Sequence, residues 1–290
     1  MIIAELNGGL GNQMFQYAFG KMLSLEFNCE LLVDISQLGS SSPLKNVVSR
    51  NYELDVFDAE IMFASEKLVS GFNRNGAVKS LLRKLRLPHT KTFIEDTDMK
   101  RVNISSIVPP VMVKGYWQSQ SYFIKYKEQI KKEFTFKRGS ICSVHAQTAL
   151  IHEKQSVSIH IRRGDYITNL TASNVLGVLD PEYYKSSINL ICDRIERPYF
   201  YVFSDDPTWA IQNFSHIPDL EIIDSRGMGS HIDLWLMSNC KHNIIANSSY
   251  SWWAAWLNKN NDKVVIAPRR WFKDSSLMHE SLVPSDWLTI

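Results

Sequence analysis

This chain of 290 residues lacks long apolar runs, a strong excess of one charge sign and paired cysteines. Its formal net charge is +2, so it has no broad basic surface of the kind that nucleic-acid binding uses. The four cysteines are scattered without a C-x-x-C pair or a metal-ligand spacing, which indicates reduced thiols in a cytosolic protein. No apolar run is long enough to span a membrane, and the N-terminal segment lacks the pattern of a signal peptide. The composition is that of a globular protein, and the length allows one large domain or two smaller ones.

The glycine turn after the first strand lacks the two common nucleotide-binding fingerprints. Ile2–Leu6 is an apolar strand, Asn7–Gln13 contains three glycines, and an apolar segment with helical spacing follows. Met14 stands where a dinucleotide fingerprint needs its third glycine, and no P-loop Gly-Lys-Ser/Thr follows. Strand, turn and helix still resemble the opening of a nucleotide-binding α/β domain. The turn can bring backbone N–H groups and the Asn12 amide to a ligand, or it can simply need the conformational freedom of glycine.

The rest of the first half is less regular. Glu30–Asp34 and Val111–Tyr116 predict strands, and Ala59–Arg86 predicts a helix with breaks at its glycines. Ser119 is the expected N-cap of a helix that reaches about Phe134.

Two segments here bear on ligands. Asp96-Thr97-Asp98 matches a D-x-D pattern that holds a divalent metal in some sugar-nucleotide enzymes, but it lies in a polar loop and we interpret it as surface. The basic run Arg83–Arg86 predicts a solvated helix face, with contact to an anionic membrane as the alternative.

Thr135–Gln155 shows little apolar periodicity, and we place a domain boundary here, giving domains of residues 1–150 and 151–290. Strands and helices alternate in the second domain, which predicts a parallel sheet with helices on both faces. Asp180 and Asp206, each followed by proline, are expected N-caps. The expected strands are Val157–Ile161, Tyr199–Phe203, Leu220–Ile223, Asn243–Ala246 and Val264–Ala267, and the expected helices are Pro181–Glu196, Pro207–Phe214, His231–Cys240 and Tyr250–Asn258.

Polar clusters follow three of these strands, and ligands of open parallel sheets bind just past the carboxyl ends of strands. Paired arginines suit phosphate because a planar fork of N–H donors matches its oxygens and keeps its charge. Hydroxyls at a helix start can cradle phosphate, and a carboxylate can bind a guanine edge or a ribose. Each cluster could instead be a structural ion pair or a helix cap, but three together favour a nucleotide site. The clusters are His160-Ile161-Arg162-Arg163-Gly164-Asp165, Ser204-Asp205-Asp206 and Asn247-Ser248-Ser249.

The tryptophans of the following segment, Tyr250–Leu257, share a helix face and predict core rather than a binding surface.

Four blocks of sequence together resemble the bacterial α-1,2-fucosyltransferases, of the glycosyltransferase family 11 type. The similarity spans nearly the whole chain, in order. It implies a GT-B-like α/β fold in which two Rossmann-like domains face each other across a cleft. It also implies transfer of L-fucose from GDP-fucose to the 2-hydroxyl of a terminal β-galactose, with inversion and without a required metal or other cofactor. The blocks are G-G-L-G-N-Q-M-F-Q-Y-A (Gly8–Ala18), H-I-R-R-G-D-Y (His160–Tyr166), F-S-D-D-x-x-W (Phe203–Trp209) and N-S-S-Y-S-W-W-A-A-W-L (Asn247–Leu257).

The resemblance assigns roles to the matching positions. Arg162 would neutralise the β-phosphate of the leaving GDP, and a guanidinium held there stabilises the charge that develops in the transition state. His160 and Asp205 would recognise guanine, and Ser248 and Ser249 would hold phosphate oxygens. The remaining donor-side candidates are Arg163 and Asp206, while Gly11 and Asn12 of the first domain would close over the diphosphate and the reacting centre.

The general base is left open by these residues. Asp165 is a candidate, but it can equally orient Arg162 or Arg163, and a loose path in which the departing phosphate takes the proton needs no carboxylate. The first domain, with its loops Gln37–Arg50 and Gly71–Thr97, is expected to recognise the acceptor.

The implied partners are GDP-fucose and a β-galactoside-terminated oligosaccharide, free or lipid-linked, for a surface glycan of the O-antigen type. A cytoplasmic location, in solution or at the inner membrane face, fits a chain with no expected transmembrane segment. The alternatives are a fucosyltransferase of another linkage or acceptor, and a non-catalytic protein that binds nucleotide sugars.

Overall fold

A computed structural model describes residues 1–39, 50–73, 91–95, 104–274, 277 and 282–290. The chain divides into two compact units, Met1–Thr135 and Phe136–Ile290. Four sequence features fall wholly or mainly outside the described residues: the Asp96–Asp98 pattern, the basic run Arg83–Arg86, and the loops Gln37–Arg50 and Gly71–Thr97.

The division falls earlier than the predicted boundary at residue 150. Residues 136–153 form a 3₁₀ helix, Arg138–Val144, and an α-helix, His145–Glu153, both of which pack on the second unit. Phe136 contacts Trp235 at 5.3 Å between ring centroids, and Trp235 donates a 3.0 Å hydrogen bond to Thr148. These contacts assign the segment to the second unit although its own periodicity is weak.

The first unit has four described strands in a parallel sheet of order β2-β1-β4-β3. One face of this sheet packs Ile3 and Met112 against Val69 and Phe72 of a helix. Elsewhere in the unit Phe19 stacks on Trp117 at 4.0 Å between ring centroids. The strands are β1 (Ile2–Glu5), β2 (Leu31–Asp34), β3 (Lys91–Ile94) and β4 (Val111–Lys114), and the described α-helices are α1 (Leu10–Glu26), α2 (Glu66–Asn73) and α3 (Lys127–Glu133).

The second unit has six described strands, all parallel, in the order β10-β9-β8-β5-β6-β7. Its strands are β5 (Gln155–Ile161), β6 (Pro198–Ser204), β7 (Leu220–Ile222), β8 (His242–Ile244), β9 (Val265–Ala267) and β10 (Leu288–Thr289). Its α-helices within the described residues are α4 (His145–Glu153), α5 (Gly164–Thr168), α6 (Leu170–Val175), α7 (Pro181–Cys192), α8 (Pro207–Phe214), α9 (Ser230–Asn239) and α10 (Ser249–Leu257). Two parallel α/β units confirm the predicted fold class.

The two faces of this sheet differ in chemistry because side chains alternate along β5. Val157, Ile159 and Ile161 join an apolar core with residues of β6, α7 and α8. Ser158 lies on the opposite face, where it accepts a 2.8 Å hydrogen bond from Asn243. His160 follows on the same face as Ser158, and so it reaches the carboxyl edge of the sheet on the side opposite Ile159 and Ile161.

Most of the predicted elements are confirmed, and the exceptions are short or polar. The glycine turn is shorter than predicted, because α1 begins at Leu10 and therefore includes Gly11 and Asn12 in its first turn. The helix expected over 59–86 is seen at Glu66–Asn73, whereas 59–65 is not helical. The helix expected before Phe134 is interrupted by two 3₁₀ turns, with Ser119 capping the first. In the described part of the chain, no helix is both long and apolar enough to cross a membrane.

Candidate active site

The three predicted clusters meet at one edge of the second sheet. Strands β8, β5 and β6 are neighbours and run parallel, so the residues that follow them leave the sheet on the same side. Ile161 pairs with Ser204 in the register of β5 and β6, which places Arg162 beside Asp205. The structure therefore brings together the arginines, the aspartates and the turn Asn247-Ser248-Ser249, here called the serine turn, as the sequence predicts.

Arg162 is held by two carboxylates. Its Nη2 donates to Asp165 Oδ2 at 2.7 Å, and its Nη1 lies 2.8 Å from Asp205 Oδ2. The guanidinium carbon also lies 5.7 Å from the centroid of the Tyr166 ring. About a quarter of the side chain stays exposed (26%), and three of its five N–H donors are not used by these pairs. The result is a fixed cation with donors left for a ligand.

Asp205 makes more contacts than a base-reading residue needs. Its Oδ1 accepts the backbone N–H of Arg163 at 2.8 Å, and its Oδ2 accepts that of Gly164 at 3.0 Å in addition to Arg162. Three of about four acceptor positions are thus taken within the protein. These contacts suit a residue that positions Arg162 and the start of α5, while the guanine contact implied for Asp205 stays a prediction.

Asp206 and Arg163 form a second, more structural pair. Asp206 Oδ1 accepts the Trp209 N–H at 3.1 Å, which caps α8 as predicted, and Oδ2 lies 3.2 Å from Arg163 Nε. The Arg163 guanidinium lies 4.2 Å above the Trp209 ring, a cation–π contact. Asp165 contacts Arg162 at 2.7 Å and can therefore orient it, whereas its role as general base stays a prediction.

The serine turn is fixed by its first residue, Asn247. The buried Asn247 amide donates to the carbonyls of Leu176, Gly177 and Trp271 at 3.1, 3.2 and 3.1 Å. The backbone carbonyl of Asn247 accepts a 2.9 Å hydrogen bond from the Tyr166 hydroxyl. Tyr166 therefore links the segment that carries Arg162 and Arg163 to the serine turn.

Ser248 is the N-cap residue of α10, with extended backbone and no side-chain capping bond, and Ser249 opens the helix. The positive end of the helix dipole lies here, so the turn is suited to an anion. The tryptophans of α10 are buried in the core, as predicted.

His160 reaches the same edge as a neutral side chain. It is buried, and burial together with nearby Arg162 lowers its pKa to about 3. Its Nδ1 has no hydrogen-bond partner among the described residues. The imidazole lies 5.5 Å from the ring of Tyr250, whose hydroxyl donates to the carbonyl of Ser230 at the start of α9. A neutral imidazole with an unused nitrogen can accept or donate a hydrogen bond to a base.

Sequence reasoning missed Asp233, which lies in the first turn of α9. Its Oδ1 is buried and has no hydrogen-bond partner in the described structure. Burial raises the pKa of this carboxyl group, and a hydrogen bond from Ser225 opposes the shift. An acidic residue in a first helical turn normally complements the helix dipole, so the sequence carries no signal of an unpartnered acceptor.

The glycine turn of the first unit is braced by two buried glutamines. Gln13 donates to the carbonyls of Gly8 and Asn51 at 2.9 and 2.8 Å, and Gln16 accepts the Asn7 N–H at 2.9 Å. Gly8 has a φ of +73°, and an added Cβ would lie 2.6 Å from Asn12 Nδ2. Glycine is therefore required at this position.

Asn12 Oδ1 accepts a 2.9 Å hydrogen bond from Gln118, and the buried Gly11 precedes it in α1. Helix α1 has neither a side-chain cap nor an acidic residue in its first turn. The structure thus places Gly11 and Asn12 at the positive end of a helix, within the first unit.

A fixed arginine and a helix N-terminus just past the strand ends of a parallel α/β unit are typical of proteins that bind nucleotides. The family model "Glycosyl transferase family 11" matches residues 1–290, and the chain belongs to that family.

An alpha-1,2-colitosyltransferase of Escherichia coli is 34% identical over 296 residues, covering 100% of this chain and 99% of the relative. The O-antigen biosynthesis glycosyltransferase WbnK of the same organism is 34% identical over 306 residues, covering 98% and 99%. The human galactoside alpha-(1,2)-fucosyltransferase 1 is 28% identical over 170 residues, covering 55% of this chain and 46% of its own length.

Among solved structures, NodZ alpha-1,6-fucosyltransferase soaked with GDP-fucose superposes with a TM-score of 0.50 at 13% identity, covering 88% of this chain and 91% of that one. At this identity the likeness supports the shared GT-B fold and no more.

Proposed function

We propose that this glycosyltransferase transfers L-fucose from GDP-fucose to the 2-hydroxyl of a terminal β-galactose, with inversion, in a surface glycan of the O-antigen type. The observation that carries the proposal is Arg162, a cation held by Asp165 and Asp205 at the edge where α10 begins. A fixed cation with free donors suits the diphosphate of a nucleotide sugar. The human relative supports the α-1,2 linkage, and WbnK supports the glycan class.

The chemistry follows from the charge that appears when the fucosyl–phosphate bond breaks. That bond leaves its electron pair on GDP, and a guanidinium already in place stabilises the new charge without reorganisation. Ser248, Ser249 and the helix N-terminus would share the phosphate oxygens. Charge neutralisation by these groups needs no metal, and we therefore propose metal-free turnover in the cytoplasm.

Guanine recognition falls to the polar face near α9. Among the described residues, Asp233 Oδ1 is a buried acceptor without a partner, and His160 Nδ1 is likewise unpaired. A carboxylate can accept two hydrogen bonds from N1–H and the 2-amino group of guanine. IDP lacks that amino group, so wild type should bind GDP about tenfold more tightly than IDP, the value of one good hydrogen bond. Asp233→Asn should abolish this preference in a calorimetric titration, and a preference that survives the substitution would exclude the role.

A second donor is favoured by the relative named a colitosyltransferase. Colitose is fucose without its 3-hydroxyl, so a site for one sugar can take the other unless that hydroxyl is bound. Competition between GDP-fucose and GDP-colitose, scored as the ratio of kcat/KM, decides between the two donors.

The direct test of the proposal is incubation with GDP-fucose and lactose in EDTA, followed by mass and linkage analysis. We expect fucose on the 2-hydroxyl of galactose. No product on any β-galactoside, with either donor, would refute glycosyl transfer to galactose. Another linkage would refute the α-1,2 assignment, and product that vanishes in EDTA would refute only metal independence.

A further inference from the structure

The carboxyl edge of the first sheet contains a cavity that none of the roles above uses. It has a volume of about 680 Å³ and lies between the end of β2 and one face of α2. Cavities of this size hold small molecules or short saccharides. Its polar lining residues are Asp34, Ser36, Glu66, Ser70 and Asn73.

Asp34 differs from the neighbouring buried carboxylate in what neutralises it. Glu5 is its partner in the register of β1 and β2, and Glu5 is paired with Lys114 at 2.6 Å. Asp34 is only 3% exposed, yet no lysine or arginine of the described residues pairs with it. Within the described residues, its carboxylate accepts hydrogen bonds from the backbone N–H and the hydroxyl of Ser36 alone, at 2.9 and 3.1 Å. A buried carboxylate is costly unless donors surround it, and Asp34 has acceptor capacity left for a ligand.

The helix on the other side of the cavity supplies matching polar groups. Glu66, Ser70 and Asn73 follow one another at i, i+4 and i+7, which places them on one face of α2. Two carboxylates and an amide can each accept from a hydroxyl, and the amide can also donate. The described lining residues include two carboxylates and no arginine or lysine, so they disfavour an anion, and their oxygens can accept hydrogen bonds from the hydroxyls of a neutral ligand.

Apolar side chains complete the lining, as a sugar ring requires. Ile35, Ala64 and Val69 line the same cavity. Ala64 lies beside the end of β2 because its N–H donates to the Val33 carbonyl at 2.8 Å. A pyranose presents C–H groups on its ring faces and hydroxyls around its rim, and mixed apolar and acceptor groups match both.

We propose that this cavity binds a saccharide of the acceptor glycan, with Asp34, Glu66 and Asn73 bound to its hydroxyls. The inference rests on the proposed glycosyl transfer and assigns acceptor recognition to a defined pocket of the first unit. It also places that pocket at the sheet edge where β1 leads into the glycine turn, since β1 and β2 are adjacent and parallel.

The test measures saccharide binding without turnover. Lactose is titrated into the full-length protein saturated with GDP, and saturation-transfer NMR gives its Kd. The variants are Glu66→Ala and Asn73→Ala, which raise helix propensity and so keep α2 intact. Lys67→Ala is the matched control, because Lys67 is exposed on the same helix and does not line the cavity. Asp34→Asn is a third variant, read only where its unfolding curve matches wild type.

We expect Glu66→Ala and Asn73→Ala each to raise the Kd for lactose about tenfold, the effect of one lost hydrogen bond. The Kd for GDP should stay within about twofold in every variant, a change too small for a lost contact, and Lys67→Ala should match wild type.

Three results would overturn the inference: no lactose binding by wild type, an unchanged Kd in both α2 variants, or a parallel loss of GDP affinity. Because the readout is equilibrium binding, a wild type that binds lactose through these residues but transfers no sugar would refute the proposed function and leave this inference standing.

Discussion

The carboxyl edges of the two sheets differ in how their charged side chains are paired. In the second unit, Arg162 is paired with two aspartates and Arg163 with one, so the arginines are held in place before any ligand arrives. In the first unit, the glycine turn is braced by neutral glutamines, and Asp34 lies buried without a cation among the described residues. The first arrangement suits a charged diphosphate, and the second suits neutral hydroxyls. The fold is similar in both units, so the side chains after each strand decide what is bound.

The largest effect should come from removing the cation itself. Arg162→Ala should lower kcat a hundredfold or more, on the order of the loss of one oxyanion donor. The matched control is Arg226→Ala, because Arg226 pairs with Asp224 in an exposed contact of the same unit. Steady-state kinetics with GDP-fucose and lactose measure both, with circular dichroism as the check on folding. Comparable rates in the two variants would reduce the arginine cluster to a structural role.

The next test separates positioning from base recognition at Asp205. Asp205→Asn keeps the shape but removes the charge that holds Arg162, and a charge-assisted bond is worth about 2 kcal/mol, or roughly thirtyfold in kcat. The preference for GDP over IDP should persist if Asp233, as proposed above, and not Asp205, binds the guanine 2-amino group.

Asp224→Asn alters an exposed aspartate–arginine pair and should change kcat by less than about twofold, because exposed ion pairs contribute little. If Asp205→Asn instead loses the preference for GDP over IDP, the guanine contact implied by the family resemblance is the correct one.

The protonation state of His160 can be tested through the pH dependence of stability. Burial and Arg162 lower the pKa of His160 to about 3, whereas an unfolded histidine has a pKa of about 6.5. The unfolded chain therefore binds the proton first as the pH falls through 6.5, and the native state is destabilised between pH 6.5 and 3.

Wild type should lose about 2 kcal/mol of unfolding free energy between pH 7 and pH 5 relative to His160→Gln. Urea denaturation at both pH values measures the difference, since the other titrating groups are common to both proteins. Parallel losses would show that His160 is not held neutral.

The smallest effect should come from the hydrogen bond by which Tyr166 joins the arginine-containing segment to the serine turn. Tyr166→Phe removes the hydroxyl that bonds to the Asn247 carbonyl, and should lower kcat about fivefold, within the range of one neutral hydrogen bond. Tyr183→Phe is a matched control, because that hydroxyl bonds to the carbonyl of Ile245, two residues earlier in the chain. Both variants should lose about 1 kcal/mol of stability, and only the first should lose rate. Equal rates would mean that Tyr166 serves the fold alone.

Much of this architecture can be predicted from the sequence because three neighbouring strands of the second sheet, β5, β6 and β8, each lead into a polar cluster. The N-caps Asp180 and Asp206 could be predicted because each aspartate is followed by a proline, and both accept backbone N–H groups of the first helical turn. Helices α5 and α6 were not predicted, because such short helices depend on distant groups: the Gly164 N–H at the start of α5 is bound by Asp205. The edge strands β3 and β10 have few residues and were missed as well.

Some features of the candidate site can likewise be predicted from the sequence, and others cannot. The sequence predicts which side chains reach the carboxyl edge, since that depends on strand ends alone. It does not predict how Asp205 distributes its contacts. Nor does it predict that, within the described structure, Asp233 has a buried oxygen without a partner and Asp34 has no lysine such as the one paired with Glu5. Each of these depends on groups brought together from separate elements.

Arg162 and its surroundings are the proposed binding site of a nucleoside diphosphate. Calorimetric titration of GDP and GMP into wild type and Arg162→Ala tests this most directly, because the two ligands differ by one phosphate. Wild type should prefer GDP by about tenfold or more, the value of one charge-assisted contact, and Arg162→Ala should bring the ratio close to one. An equal preference for GDP in both proteins would contradict the central claim.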